Sequence, residues 1–106
     1  MGYQGGFLTQ NLSGLTVGSE TLDPTFDEDV TSYTVDIDDA TTSITATAET
    51  TGATVEMFLN GVSQGSGTTT LTETLTWTEN TDIVIVKVTY NASSKQYYIT
   101  VTHEGD

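Results

Sequence analysis

Carboxylates crowd two places in this 106-residue chain. Asp27, Glu28 and Asp29 stand just ahead of a strand-like segment, and Asp36, Asp38 and Asp39 stand at its far end. Carboxylates gathered in loops can bind Ca²⁺ through about six to eight oxygens. Neither group carries the glycine and distal glutamate of an EF-hand loop, and alternation turns Asp36 to the solvent face. The expectation is a solvated acidic rim with no metal and no cofactor. Ca²⁺ at Asp27, Asp29, Asp36, Asp38 and Asp39 is the alternative.

Other residues could in principle do covalent or acid–base chemistry. Gly61-Val62-Ser63-Gln64-Gly65 spells the G-x-S-x-G of a nucleophile elbow. That motif needs a buried strand turning sharply into a helix, with a histidine in reach of the serine. Here it lies in a hairpin-like stretch with no helical pattern after it. His103 is the single histidine, and it is expected to sit exposed at the end of the last strand. With one histidine, no cysteine and no arginine, too few groups remain for an acid–base site. No enzyme is expected and no catalytic residue is assigned. Trp77, Tyr90, Tyr97 and Tyr98 could stack against a sugar, but large aromatics are more often mostly buried, so core packing is preferred. Asn11-Leu12-Ser13 and Asn91-Ala92-Ser93 match the glycosylation pattern, which needs a secretory route to be used.

Composition narrows the partners. Fifteen acidic residues face Lys87 and Lys95 alone, for a formal net charge of −13. Nucleic-acid binding requires cationic side chains against phosphate, so it is excluded, and anionic membrane surfaces are disfavoured for the same reason. No run of about 18 apolar residues exists to span a bilayer. The opening MGYQGGFLTQ has neither a basic n-region nor an apolar h-region, so no export signal is expected. Without cysteine there is no disulfide framework, and the fold must hold by packing.

The elements that would position these residues read as strands. Tyr33, Val35 and Ile37 alternate with Thr34 and Asp36, the pattern of a half-buried strand. Leu22, Pro24 and Phe26 fall two apart, so an extended chain would present them on one side. Ile44, Ala46 and Ala48 alternate with threonines. Val55, Met57 and Leu59 follow, and Asn60-Gly61 predicts a tight hairpin into residues 62–64. Gly65-Ser66-Gly67 reads as a flexible joint. Leu71, Leu75 and Trp77 share one parity, broken by Glu73. Residues 83–90 are nearly continuous in apolar character, which predicts a central strand buried on much of both faces. Residues 97–102 close the set by pairing back across residues 91–94. Threonine, roughly two dozen in all, supplies the outward positions of a β surface. Together these predict an all-β, two-sheet antiparallel sandwich of seven to eight strands with Greek-key connections. No helical periodicity and no internal repeat appear.

The run Leu12, Leu15, Gly18, Leu22, Pro24, Phe26, Tyr33, Val35, Ile37 resembles the opening of the bacterial and phage cadherin-like β-sandwich domains, immunoglobulin-like modules. Their pattern is Leu-x-x-Leu, a Gly turn, Leu-x-Pro-x-Phe, an acidic loop and Tyr-x-Val-x-Val. Asn60-Gly61 matches their hairpin, Leu75 and Asn80 their Leu-x-x-Gly-x-Asn element, and Tyr97, Ile99 and Val101 their closing strand. Thr78 stands where they favour Gly, and no Gly follows Tyr90 in the last turn. The resemblance implies a non-enzymatic structural protein. Residues 1–10 form a Gly-rich arm, for which a plain disordered leader is the other reading, 11–103 the sandwich, and 104–106 a short tail. Tyr3, Phe7 and Leu8 in the arm are the expected contacts to protein partners, whether other subunits of a virion or surface assembly or copies of this chain. The expected setting is a phage virion surface, as a capsid or tail decoration. The alternative is a spacer or adhesion module at a bacterial cell surface, where a glycan is a further candidate ligand.

Overall fold

The computed structural model describes residues 10–78 and 80–103. Eight strands follow in order: β1 (Leu12–Val17), β2 (Ser32–Ile37), β3 (Thr41–Ala48), β4 (Thr54–Leu59), β5 (Val62–Thr68), β6 (Thr70–Thr76), β7 (Thr81–Tyr90) and β8 (Ser93–His103). They form one sheet ordered β1-β3-β6 and another ordered β2-β8-β7-β4-β5, with no helix among the described residues. All pairings are antiparallel except β2 with β8, which run parallel with Tyr33 beside Ile99 and Val35 beside Val101. This is the expected two-sheet, immunoglobulin-like sandwich.

Period-two alternation decides which side chains go inward. Tyr33, Val35, Ile37, Ile44, Ala46, Val55, Met57, Val84, Val86, Val88, Tyr97, Ile99 and Val101 are all buried between the sheets. Each fully buried Val, Leu or Ile contributes roughly 1.5–3 kcal/mol of transfer free energy, which carries a fold without disulfides. Threonines take the outward positions of the three-stranded sheet. Two cross-strand pairs there, Ser43–Thr74 and Thr45–Thr72, join hydroxyl to hydroxyl at 2.9 Å.

Three expectations change. β7 lies between β8 and β4 but is buried on one face only. Its outward residues Ile83 and Ile85 have no third layer above them, and Ile83 is 37% exposed. Residues 65–67 are not a joint but part of edge strand β5, paired with Met57, Glu56 and Val55. Backbone pairing holds them there without side chains, and Gly67 is needed for space. A Cβ on it would sit 2.8 Å from the Thr70 carbonyl oxygen, where the chain crosses from one sheet to the other. Finally, Leu22, Pro24 and Phe26 do not share a side: Leu22 is buried, Phe26 half-buried and Pro24 exposed. Asp23 forms an isolated antiparallel bridge, exchanging backbone hydrogen bonds with Thr34 at 3.0 and 2.8 Å. Those bonds cover part of the free edge of β2 before the chain bends away.

Candidate functional site

A connected set of polar contacts lies at the pole where β1 begins. Tyr97, on β8, points inward and carries its hydroxyl to the end of the core. That hydroxyl accepts a hydrogen bond from the Leu12 backbone N–H at 2.9 Å and donates to the Glu28 carbonyl oxygen at 2.9 Å. Two residues back on the same strand, Lys95 donates to Asn11 Oδ1 at 2.6 Å and to the same Glu28 carbonyl at 2.9 Å. Its ammonium also lies 5.0 Å from the Tyr97 ring centroid, a cation–π distance. Gln10 donates from Nε2 to the Tyr90 carbonyl at 3.1 Å, and the Glu49 N–H donates to the Asn11 carbonyl at 2.9 Å. Residues 10–12 are thus tied to three separate parts of the chain: the end of β7, strand β8 and the turn after β3.

Tyr33 fixes the acidic loop from the other side. Its hydroxyl donates to the Asp27 carbonyl at 2.6 Å and accepts from the Asp27 N–H at 3.0 Å. Phe26 lies across both tyrosines, 6.0 Å from Tyr33 and 6.4 Å from Tyr97 between centroids. Burial pushes the Tyr33 phenol above its ordinary value, outweighing the backbone hydrogen bond at Asp27 that pulls it down. The phenol therefore stays neutral and keeps its donor through the physiological range. The carbonyls of Asp27 and Glu28 are taken by Tyr33, Tyr97 and Lys95. Asp27 and Asp29 are exposed, and Asp27 Oδ1 accepts the Asp29 N–H at 2.8 Å, an Asx-type turn.

The two acidic groups do not meet. Asp36, Asp38 and Asp39 are exposed at the opposite end of β2, roughly 20 Å away for a six-residue strand. Among the described residues no three His, Asp or Glu side chains come together as a metal site. Ser63 lies on edge strand β5 and donates its hydroxyl to Glu56 Oε2 at 2.8 Å, so the elbow motif is part of a hairpin. His103 corrects its expectation. It is half-buried in β8 beside Ile37, because β8 runs on to pair with the whole of β2. It is three strands and five residues out of register from Ser63, too far to act on it. Trp77 is 6% exposed, with Nε1 donating to Thr42 Oγ1 at 3.2 Å, and Tyr97 is fully buried, so both are core residues as preferred. Tyr3, Phe7 and Leu8 lie outside the described residues.

Against known families, the sequence model of the Cadherin-like beta sandwich domain matches residues 12–104. The chain belongs to that family. Membership makes this cadherin-like domain a non-enzymatic, immunoglobulin-like module. Among curated proteins no match is found. Among solved structures it is similar to a lytic polysaccharide monooxygenase from Jonesia denitrificans, at 16% identity and a TM-score of 0.45. That alignment covers 73% of this chain and 59% of the other, and a likeness so distant carries nothing about activity.

Two features of the domain escaped sequence reading. Asp82 is fully buried, which its inward parity with Val84, Val86 and Val88 already signals. Lys95 as a clamp left no sequence signal, because its partners are 67 and 84 residues away.

Proposed function

We propose that this cadherin-like domain is a structural accessory protein of a phage particle, a capsid or tail decoration held by residues 1–10 with its sandwich facing outward. The observation that carries the reading is the clamp at residues 10–12. A load applied through the arm passes at once into β8, the acidic loop and the β7–β8 turn, so the attachment point is part of the rigid body. The arm's Tyr3, Phe7 and Leu8 then supply the apolar contacts, while the carboxylates keep the exposed body hydrated. The test replaces Tyr3, Phe7 and Leu8 by serine in the full chain and measures occupancy on purified particles. Loss of occupancy with an unchanged thermal midpoint is expected; full occupancy sinks the arm.

A second reading rests on its own observation. The described chain enters at the pole of Gln10 and leaves at the opposite pole through His103, beside Asn80 and Ile37. That layout suits modules strung end to end as spacers or adhesive units of a bacterial surface protein. Codons for further sandwiches on either side of this sequence would favour it.

A further inference from the structure

The outer face of the five-stranded sheet is unlike the rest of this acidic molecule. Its centre carries Phe58 from β4, Ile83 and Ile85 from β7, and Tyr98 from β8. Ile83 is 37% and Tyr98 40% exposed. Tyr98 donates its hydroxyl to Gln96 Oε1 at 2.8 Å, which lays the ring along its own strand. Asp36 and Glu56 are the acidic residues on this face, and Glu56 is in direct register with Lys87.

Strand register arranges these side chains in two rows. One reads Ser63, Phe58, Ile85, Tyr98 across β5, β4, β7 and β8; the next reads Ser66, Glu56, Lys87, Gln96. Each row complements its own reverse. A two-fold axis parallel to the strands, between β4 and β7, would set Phe58 over Ile85 and Ser63 over Tyr98 of a second copy. In the next row it would set Glu56 over Lys87 and Ser66 over Gln96. At the centre of the contact Phe58 meets Ile85 and Glu56 meets Lys87, with the strands aligned as face-packed sheets prefer.

We infer that this face is a self-association surface, and that its occupant is a second copy of this chain packed face to face through an isologous two-fold. The inference does not depend on the arm. Four strands about 4.8 Å apart give a footprint roughly 20 Å wide, which puts the dimer at the small, weakly bound end of specific interfaces. Repulsion between two bodies of net charge −13 weakens it further at low ionic strength, so added salt strengthens it.

The test is sedimentation of the full chain from micromolar to millimolar concentration at low and at physiological salt. A concentration-dependent monomer–dimer equilibrium, tighter at the higher salt, is expected. Glu56→Lys then separates specific pairing from general charge. It makes the molecule less negative, so non-specific electrostatics predict tighter association. The proposed pairing instead sets Lys against Lys87 twice by symmetry and weakens association about tenfold. The double swap Glu56→Lys with Lys87→Glu restores the original affinity at unchanged net charge. A chain that stays monomeric at every concentration overturns the proposal. So does a dimer that Glu56→Lys leaves unchanged or tightens, or one that the double swap fails to restore.

Discussion

Asp82 is the costliest single side chain in this sandwich. A carboxylate with no exposed surface is tolerable only if donors surround it. Asn60 supplies one from Nδ2 at 2.7 Å and Thr78 another from Oγ1 at 3.3 Å. Asn60 then turns its Oδ1 to the Ile83 N–H at 2.9 Å, so one amide serves both the buried acid and the start of β7. It does this from a left-handed backbone, φ 52°, which asparagine tolerates better than most residues. Asn60→Ala loses the donor, the acceptor and the easy backbone together, and is expected to cost about 2–4 kcal/mol in urea unfolding. Asn60→Gly restores only the backbone freedom. It should recover about 1 kcal/mol of that loss, and a full recovery would mean that the bond to Asp82 contributes nothing. Asn60 was legible as a turn residue, because Asn-Gly between apolar runs is a local signal. Its service to Asp82, 22 residues on, was not local and left no mark in the pattern.

At the scale of elements, alternation carried the fold and failed where a strand lacks it. β2, β3 and β8 could be read from period two alone, since each buries one face and wets the other. β5 could not, because Gly65, Ser66 and Gly67 offer neither apolar side chains nor β-branching, and only pairing with β4 makes them a strand. β7 misled in the other direction: its outward isoleucines imitate a strand buried on both sides. The β7–β8 turn departs from the ideal in one residue. Asn91 and Ala92 both have positive φ, 53° and 65°, the geometry of a type I′ hairpin turn. Asparagine suits the first position, but alanine at the second carries a left-handed backbone that glycine would hold without strain. Ala92→Gly should therefore stabilise the domain by about 0.5–1 kcal/mol, less than the full strain because glycine also loosens the unfolded chain. An unchanged or lower urea midpoint would show that the clamp around Tyr90 and Lys95, not the turn, sets the hairpin geometry.

Across the whole molecule, the charge is distributed unevenly. Asp36, Glu56, Glu73 and Asp82 are the acidic residues that fall within strands; the others lie in connections or past β8. The outward face of the three-stranded sheet is hydroxyl-rich, with Ser43, Thr45, Thr72 and Thr74 at its centre. The charge thus gathers at the poles and the loop rims. Lys95 places one positive charge beside the acidic loop, its ammonium donating to Asn11 Oδ1 and the Glu28 carbonyl. Carboxylates held at fixed positions on a small body repel one another more than they do along an expanded chain, so the net charge works against folding. At 10 mM salt the screening length is about 30 Å, long enough for like charges to act across the domain; at 0.15 M it is about 8 Å, near the spacing within one loop. Raising NaCl from 10 to 150 mM should therefore relieve mainly the repulsion between separate clusters. If that repulsion amounts to about 1 kcal/mol, the thermal midpoint rises by about 4–8 °C for a domain of this size. The rise should be at least as large in Lys87→Gln as in the parent, because that change removes one of the two cations that offset the clusters at low salt. A midpoint indifferent to salt would mean that the clusters act independently even unscreened, leaving solubility and spacing as the consequences of the charge.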